Sequence, residues 1–120
     1  MSMRWIVVLV LVAGVYKGYQ EFGSGAGAVE PLQEGAYVVV YGRDSCGYTQ
    51  RMRNELAREG IDFRYARIDR QAVADRVHKR MRAAGIDTSR YSLPVVDVNG
   101  HIRTRPGPES VIERFEEGRS

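Results

Sequence analysis

The sequence predicts one α/β domain with element order βαβαββα and a mixed four-stranded sheet flanked by helices, preceded by an N-terminal hydrophobic segment. Short apolar runs rich in β-branched and aromatic residues alternate with stretches in which apolar residues recur every three or four positions. Asn99-Gly100 joins two such runs, which is the strongest short-range signal of a β-hairpin. The length of 120 residues leaves room for a single domain.

The charge pattern excludes one broad class of partner. The formal net charge is +3, and arginines are spread among acidic residues along the chain. No basic stretch is interleaved with aromatic side chains that could stack on bases, so the sequence predicts no binding to nucleic acid. The two histidines follow no metal-ligand pattern, and no metal site is predicted from them.

Residues 1–22 have the layout of a signal peptide or a signal anchor. Arg4 precedes an uncharged, mostly apolar run of twelve residues at 5–16, shorter than the roughly 17–25 that a membrane span needs. Ala26-Gly27-Ala28 offers a cleavage site far from this run, which favours an uncleaved anchor but leaves cleavage open. An export signal would place the domain on the extracytoplasmic (periplasmic) side, anchored in the membrane or exported. A buried N-terminal strand is the alternative.

The glycine- and alanine-rich residues 23–35 are predicted as a flexible linker, and residues 36–118 as the folded domain. The first strand is predicted at 37–41. A helix follows at 46–58, ended by Gly60, with an inner face formed by residues four apart: Tyr48, Met52 and Leu56. A second strand is predicted at 63–68.

The second half of the domain continues with a helix at 71–84, whose apolar stripe is Val73, Val77, Met81 and Ala84. The hairpin is predicted from strands at 95–98 and 101–104, and a last helix at 108–117. The helix between the first two strands implies a parallel, right-handed crossover, and the hairpin adds antiparallel strands.

The single cysteine lies at the point where the first strand gives way to the first helix. At a helix N-terminus, unpaired N–H groups and the helix dipole favour an anion, so the Cys46 thiol is predicted to ionise readily and act as a nucleophile. A buried, inert cysteine is the alternative. One cysteine also excludes an internal disulfide.

Two motifs resemble the glutaredoxin family of the thioredoxin fold. Cys46-Gly47-Tyr48-Thr49 is similar to the Cys-Gly-Phe-Ser motif of its monothiol branch, and Ser92-Leu93-Pro94 is similar to the family's Thr-Val-Pro. Arg43, three residues before the cysteine, matches the family's lysine. The resemblance covers residues 36–117 and implies a βαβαββα thioredoxin fold.

The resemblance also implies a set of ligand contacts. Glutathione would be the co-substrate, with its carboxylate bound by Arg43 and its cysteinyl part paired with the Leu93 backbone. Pro94 would be a cis proline beside Cys46. Tyr48 would combine packing with an edge facing glutathione.

The resemblance and the chemistry together predict a glutathione-dependent thiol–disulfide oxidoreductase. The Cys46 thiolate would attack mixed disulfides of glutathione with proteins or small thiols. Thr49 stands where dithiol members carry a second cysteine, so glutathione would have to resolve the intermediate. Arg43 and Thr49 would stabilise the thiolate. The alternatives are that Arg43 is only a charge in the turn and that Thr49 is an ordinary threonine in the first turn of the helix.

The expected partners are glutathione, glutathionylated or disulfide-containing proteins, and a membrane through the N-terminal segment. The domain is expected to be a monomer.

Two alternatives remain at this point. The first is a non-catalytic thioredoxin-fold binding module. The second is a carrier of a glutathione-dependent [2Fe–2S] cluster held by Cys46 of two chains. Of the two functions found in the family, cluster carrying is less expected here than disulfide exchange, because the extended loop that precedes the motif in cluster-carrying members is absent. Residues 103–109 also contain one glycine where the family has a Gly-Gly pair followed by an acidic residue.

Overall fold

The computed structural model describes residues 25–119 of the chain. Its strands are β1 Ala26–Ala28, β2 Val38–Gly42, β3 Arg64–Arg67, β4 Val95–Val98 and β5 His101–Thr104. Its helices are α1 Gly47–Arg58, α2 Gln71–Ala83 and α3 Pro108–Arg119. The segment predicted to be a signal peptide or anchor, residues 1–22, lies outside the described residues. Within residues 25–119, no helix has both the length and the apolar character needed to cross a membrane.

The predicted mixed sheet is confirmed. The strands lie in the order β1-β5-β4-β2-β3. Only β2 and β3 run parallel, joined by α1, and the other described neighbours are antiparallel. Asn99 and Gly100, with φ of 55° and 94°, form the tight turn between β4 and β5, because this turn requires positive φ at both positions.

Within residues 25–119 the sheet has five strands, one more than the four that were predicted. The additional strand, β1, pairs Ala26, Gly27 and Ala28 with β5, inside the segment predicted as a flexible linker. Gly27 lies so close to the backbone carbonyl of Ala84 that a Cβ at this position would overlap it. Three small residues show neither the alternation nor the β-branched content by which strands are predicted, so the composition indicated a linker instead.

Helices cover both faces of the sheet, and each face has its own apolar core. Alternate residues of β2 point to opposite faces, since side chains in a strand alternate. On one face the core includes α2: Tyr37, Val39, Tyr41, Ile68, Val73, Val77, Met81, Ala84, Ile86, Val95 and Ile102. On the other it includes α1 and α3: Val38, Val40, Met52, Leu56, Ile61, Val96, Val98 and Val111.

The predicted stripe of α2 is confirmed, because all four of its residues are buried. The predicted inner face of α1 is wrong at one position. Met52 and Leu56 are buried, but Tyr48 is 55% exposed and Thr49 is fully buried in its place. The buried residues of α1 are therefore spaced three and four apart, as 49, 52 and 56, and Tyr48 in the first turn lies at the edge of this face.

Candidate active site

Cys46 is the N-cap of α1, with extended backbone dihedrals of φ −89° and ψ 117°. Strand β2 ends at Gly42, and the turn that follows is closed by a 3.0 Å hydrogen bond from the Cys46 N–H to the Arg43 carbonyl. The Cys46 side chain caps no backbone N–H, and α1 has no acidic residue in its first turn. The N–H groups at the start of α1 are thus available to a negatively charged sulfur.

The surroundings of Cys46 lower the pKa of its thiol. The largest cause is the Thr49 hydroxyl, which acts as a hydrogen-bond donor toward the sulfur, and burial opposes it. The backbone N–H groups of Thr49 and Tyr48 and the charge of Arg105 lower the pKa further. The hydroxyl, the two N–H groups and Arg105 all favour the thiolate, because each places a donor or a positive charge near the sulfur, whereas burial disfavours it.

The Thr49 hydroxyl is buried, and its oxygen has no hydrogen-bond partner of ordinary geometry among the described residues. A neutral thiol is a weak acceptor, whereas a thiolate is a strong one. Both observations, the unpartnered Thr49 hydroxyl and the lowered pKa of Cys46, are explained if this hydroxyl donates its hydrogen bond to the ionised sulfur of Cys46. Thr49 is held in place by Gly42, where a Cβ would overlap the Thr49 side chain. The absence of a side chain at the end of β2 therefore lets Thr49 pack under the cysteine.

The turn before Cys46 is tied to β3 and to the residues after it. Arg43 forms an exposed ion pair with Asp69 at 3.1 Å. The Asp44 carboxylate accepts a 2.8 Å hydrogen bond from the Tyr65 hydroxyl and pairs with Arg67 at 3.3 Å. Burial and this contact with Asp44 raise the pKa of Tyr65 to about 12. The Arg43 guanidinium thus pairs with Asp69. The cation that lowers the pKa of Cys46 is Arg105, where the sequence predicted Arg43.

The Leu93–Pro94 peptide bond is cis, as the resemblance implied. The Leu93 carbonyl accepts a 2.7 Å hydrogen bond from Arg105 Nε, and the Pro94 carbonyl accepts one of 2.7 Å from the Arg105 N–H. The Arg105 guanidinium lies over the Tyr48 ring, 3.9 Å from its centroid. Arg105 therefore bridges the cis-proline segment and the start of α1.

Several of these groups line one cleft of about 320 Å³ next to the first turn of α1. The cleft is lined by Tyr48, Arg51, Met52, Pro94, Arg105, Pro106, Gly107, Pro108 and Glu109. Of the residues predicted for glutathione, Tyr48 and Pro94 line this cleft and Leu93 adjoins it through Arg105. Arg43 is not among its lining residues.

Sequence reasoning missed Arg105. It has a φ of 43°, an uncommon conformation for a residue other than glycine. The signal was present in the sequence, because residues 103–109 depart from the glycine-rich pattern of the family at this place. Fewer glycines in this stretch indicate a changed turn, but the sequence alone assigns no role to the arginine that stands in it.

The donor set of the described chain does not by itself fit a metal centre. No group of three or more His, Cys, Asp or Glu side chains within residues 25–119 could hold a metal ion. A [2Fe–2S] cluster needs four ligands, and Cys46 is the single thiolate that the sequence supplies. Such a cluster would therefore require a second chain and two external thiols.

The arrangement of a cysteine at the N-terminus of the first helix, on a mixed sheet that carries a cis-proline segment, defines a thioredoxin-fold protein with a thiol of lowered pKa. The glutaredoxin family model matches residues 38–102. A glutaredoxin from Archaeoglobus fulgidus, grx-1, is 30% identical, with a TM-score of 0.51 over 77% of this chain and 100% of that one. The chain belongs to the glutaredoxin family, whose members generally act as thiol–disulfide oxidoreductases with glutathione as co-substrate.

A second solved structure agrees on the fold. Glutaredoxin 1 from Francisella tularensis, determined in complex with cacodylate, is 17% identical, with a TM-score of 0.51 over 68% of this chain and 98% of that one. No curated protein sequence matches the chain. The fold and a glutaredoxin-like redox function thus rest on the family model and the structural neighbours.

Proposed function

We propose that this protein is a monothiol oxidoreductase that uses glutathione to reduce glutathione mixed disulfides of proteins or small molecules. The observation that carries the proposal is the pairing of Cys46 with Thr49. A buried hydroxyl without another partner lies at the cysteine, and its hydrogen bond is the largest cause of the lowered pKa of that thiol. A protein that used the fold only for binding would have no need of a stabilised thiolate.

The reaction consists of two exchanges at one sulfur. The Cys46 thiolate attacks the glutathione sulfur of the mixed disulfide, the Cys46–glutathione disulfide forms, and the substrate leaves as a thiolate that takes a proton from water. A second glutathione thiolate then attacks the glutathione sulfur of that intermediate. Oxidised glutathione is released, so the disulfide bond of the substrate ends up between two glutathione molecules, and Cys46 returns to the thiolate. Thr49 stabilises Cys46 as the attacking group in the first exchange and as the leaving group in the second.

Glutathione would lie along the cis-proline segment, with Leu93 supplying backbone hydrogen bonds and Pro94 and Tyr48 supplying contact surface. The Leu93 carbonyl is engaged by Arg105, so the guanidinium has to move or share this acceptor when the ligand binds. Arg43, which pairs with Asp69 in an exposed position, would reach the ligand carboxylate by exchanging one ion pair for another.

The test compares Cys46→Ser and Thr49→Ser with the parent protein in glutathione-dependent reduction of a mixed disulfide of glutathione and 2-mercaptoethanol. Cys46→Ser should lose all activity, because the nucleophile is gone, and Thr49→Ser should keep most of it, because the hydroxyl remains. Intact mass of the parent treated with oxidised glutathione should show one added glutathione. An inactive parent that gains no glutathione would refute the proposal and favour a binding module.

We also propose that residues 1–22 anchor the domain to a membrane on its extracytoplasmic side, or export it. The support is the charge layout of that segment, with Arg4 before the uncharged run at 5–16. A compartment-sensitive reporter fused after Ser120 should report an exported C-terminus, and the protein should sediment with membranes unless cleaved. A reporter active in the cytoplasm, with full-length protein in the soluble fraction, would overturn this proposal and leave the redox proposal intact.

A further inference from the structure

The described chain enters the domain at the end of the sheet that presents Cys46. Tyr41 of β2 lies opposite Val95 of β4, and Val95 lies opposite Thr104 of β5. The Thr104 N–H donates a 3.1 Å hydrogen bond to the carbonyl of Gly25, which precedes β1. These residues form one row across the sheet, and the turn after β2 places Cys46 just beyond this row. This end of the domain is called the Cys46 end.

The tether in front of Gly25 is short. Two residues, Gly23 and Ser24, separate it from residues 1–22, which are proposed above as a membrane anchor. An extended chain advances at most about 3.6 Å per residue, so Gly25 of an anchored chain would lie within about 11 Å of the membrane surface. The row of residues spans three strand spacings, about 14 Å, and the closed turn after β2 adds about 10 Å. An anchored domain would therefore keep Cys46 within about 35 Å of the bilayer.

Charge is distributed unevenly between the two ends of the domain. Exposed arginines without an ion-pair partner in residues 25–119 lie at the Cys46 end: Arg51, Arg90 and Arg105. The carboxylates at this end include Asp87, which accepts two hydrogen bonds from Ser89, and Glu109. The opposite end, where the hairpin turns and α1 ends, carries exposed carboxylates without an ion-pair partner in the same range: Glu30, Glu34, Glu59 and Asp62. An anionic bilayer therefore attracts the Cys46 end and repels the opposite end.

We propose that the domain turns its Cys46 end towards the membrane and acts on disulfides of membrane-bound proteins that lie close to the bilayer surface. The inference rests on the proposed redox function and the proposed anchor, and it adds the class of substrate to them. The partner is a protein whose mixed disulfide with glutathione lies within reach of the short tether. Because both reactants are held at one surface, their effective concentration is high for disulfides within this reach and near zero for disulfides beyond it.

The reacting atoms are those of the exchange proposed above. The Cys46 thiolate attacks the glutathione sulfur, a Cys46–glutathione disulfide forms, and the cysteine of the partner leaves as a thiolate that takes a proton from water. The height of that cysteine above the membrane therefore determines whether the partner reacts.

The test uses the full chain in vesicles of phosphatidylcholine and phosphatidylglycerol, together with a single-span peptide that carries one cysteine as a mixed disulfide with glutathione. In the near peptide this cysteine lies a few residues outside the span. In the far peptide it follows a helical spacer of Glu-Ala-Ala-Ala-Lys repeats, about 45 residues long, which rises about 65 Å. The loss of glutathione from the peptide, measured by mass, gives the rate, and the rate between separate vesicles is subtracted.

The parent should react with the near peptide at least about tenfold faster than with the far peptide. A variant with the same spacer inserted after Ser24 should lose this preference, because its Cys46 is held about as high as the cysteine of the far peptide. The matched control is the soluble mixed disulfide of glutathione and 2-mercaptoethanol. Both proteins should reduce it at equal rates, since the insertion leaves the residues around Cys46 unchanged.

Equal rates of the parent with the two peptides would overturn the inference, as would a preference for the near peptide that persists in the spacer variant. If the protein does not sediment with the vesicles but reduces the soluble mixed disulfide, the anchor and the inference fail and the redox function stands. If the parent does not reduce the soluble mixed disulfide, the redox function fails and the inference fails with it.

Discussion

Arg80 on α2 donates a 2.6 Å hydrogen bond to Asp97, whose side chain is fully buried in β4. The Tyr37 hydroxyl donates to the same carboxylate at 3.1 Å, and the Gly100 N–H donates at 2.9 Å. Arg80 also donates to the Glu30 carbonyl at 3.1 Å. One buried negative charge therefore connects the sheet, the helix and the chain before β2, and it is tolerated because it is paired and hydrogen-bonded.

We expect Asp97→Asn to lower the free energy of unfolding by about 3 kcal/mol, because it leaves the Arg80 charge without its partner at a site where Arg80 is only 19% exposed. Urea denaturation at neutral pH measures the change. The matched control is Glu116→Gln, which removes an exposed partner of Arg119 and should cost less than about 1 kcal/mol. Equal losses in the two variants would show that the buried pair contributes no more than a surface one.

The elements that were predicted correctly are those determined by nearby residues. The hairpin follows from Asn99 and Gly100, whose positive φ values only a few residue types adopt readily. The stripe of α2 follows from a helical repeat that runs from Val73 to Met81 without interruption. The position of Cys46 at the start of a helix was predictable from the apolar strand before it and from the turn residues that separate the two.

The features that were missed depend on contacts between distant parts of the chain. Asp97 lies in an apolar strand and received no role, since Tyr37 and Arg80 are 60 and 17 residues away in sequence. Tyr48 was placed on the inner face of α1 because helical spacing allows it there. Its exposure follows from the packing of Thr49 against Gly42, and its position over Arg105 involves a residue beyond β5.

Thr49→Val should raise the pKa of Cys46. Valine has nearly the shape of threonine but cannot donate the hydrogen bond that is the largest cause of the lowered pKa of this thiol. The rate of alkylation by iodoacetamide as a function of pH gives the inflection, which should move to higher pH in this variant. Thr49→Ser, which keeps the hydroxyl, should retain an inflection near that of the parent. An unchanged inflection in Thr49→Val would assign the lowered pKa to the helix N-terminus and Arg105 alone.

The same substitution should have an effect on stability that depends on pH. Because the folded pKa of Cys46 is lowered, its stabilising contribution is present above the unfolded pKa of about 8.5 and is lost as the pH falls through the folded pKa. At about pH 9.5, Thr49→Val should therefore be less stable than the parent. At about pH 5.5 the difference should vanish or reverse, because the buried hydroxyl then lacks a good acceptor. Urea denaturation at the two pH values measures it, and a loss of the same size at both would contradict this linkage.

Tyr65→Phe should cost about 1 kcal/mol of stability, because it removes the 2.8 Å hydrogen bond to Asp44 while leaving the ring in place. The ring also lies under the Arg53 guanidinium, 3.9 Å from its centroid, and phenylalanine preserves that contact. Asp44→Ala removes the partner of both Tyr65 and Arg67 and should cost more. Thermal unfolding measures both. Tyr65→Phe with unchanged stability would mean that the Asp44 contact does not hold the turn before Cys46.

Gly42 and Gly47 flank the turn that presents Cys46, and the structure predicts opposite outcomes when each becomes alanine. At Gly42 the added Cβ would lie 2.5 Å from the Thr49 Cγ2 and still closer to its hydroxyl oxygen, so the side chain must shift. We expect Gly42→Ala to lower the free energy of unfolding by about 1–3 kcal/mol, as overpacking does in cores. Alkylation of Cys46 at neutral pH should also slow, because Thr49 is moved from the sulfur.

Gly47 is the matched control, because a Cβ there would meet no atom within 4 Å and the residue already lies in the first turn of α1. Gly47→Ala should leave stability unchanged or raise it by up to about 0.5 kcal/mol, through the higher helix propensity of alanine. Urea denaturation and alkylation rates measured on both variants separate the two positions. A normal alkylation rate in a destabilised Gly42→Ala protein would show that Thr49 packs the helix against the sheet without tuning the thiol. Slow alkylation in both variants would instead attribute the effect to the backbone of the turn.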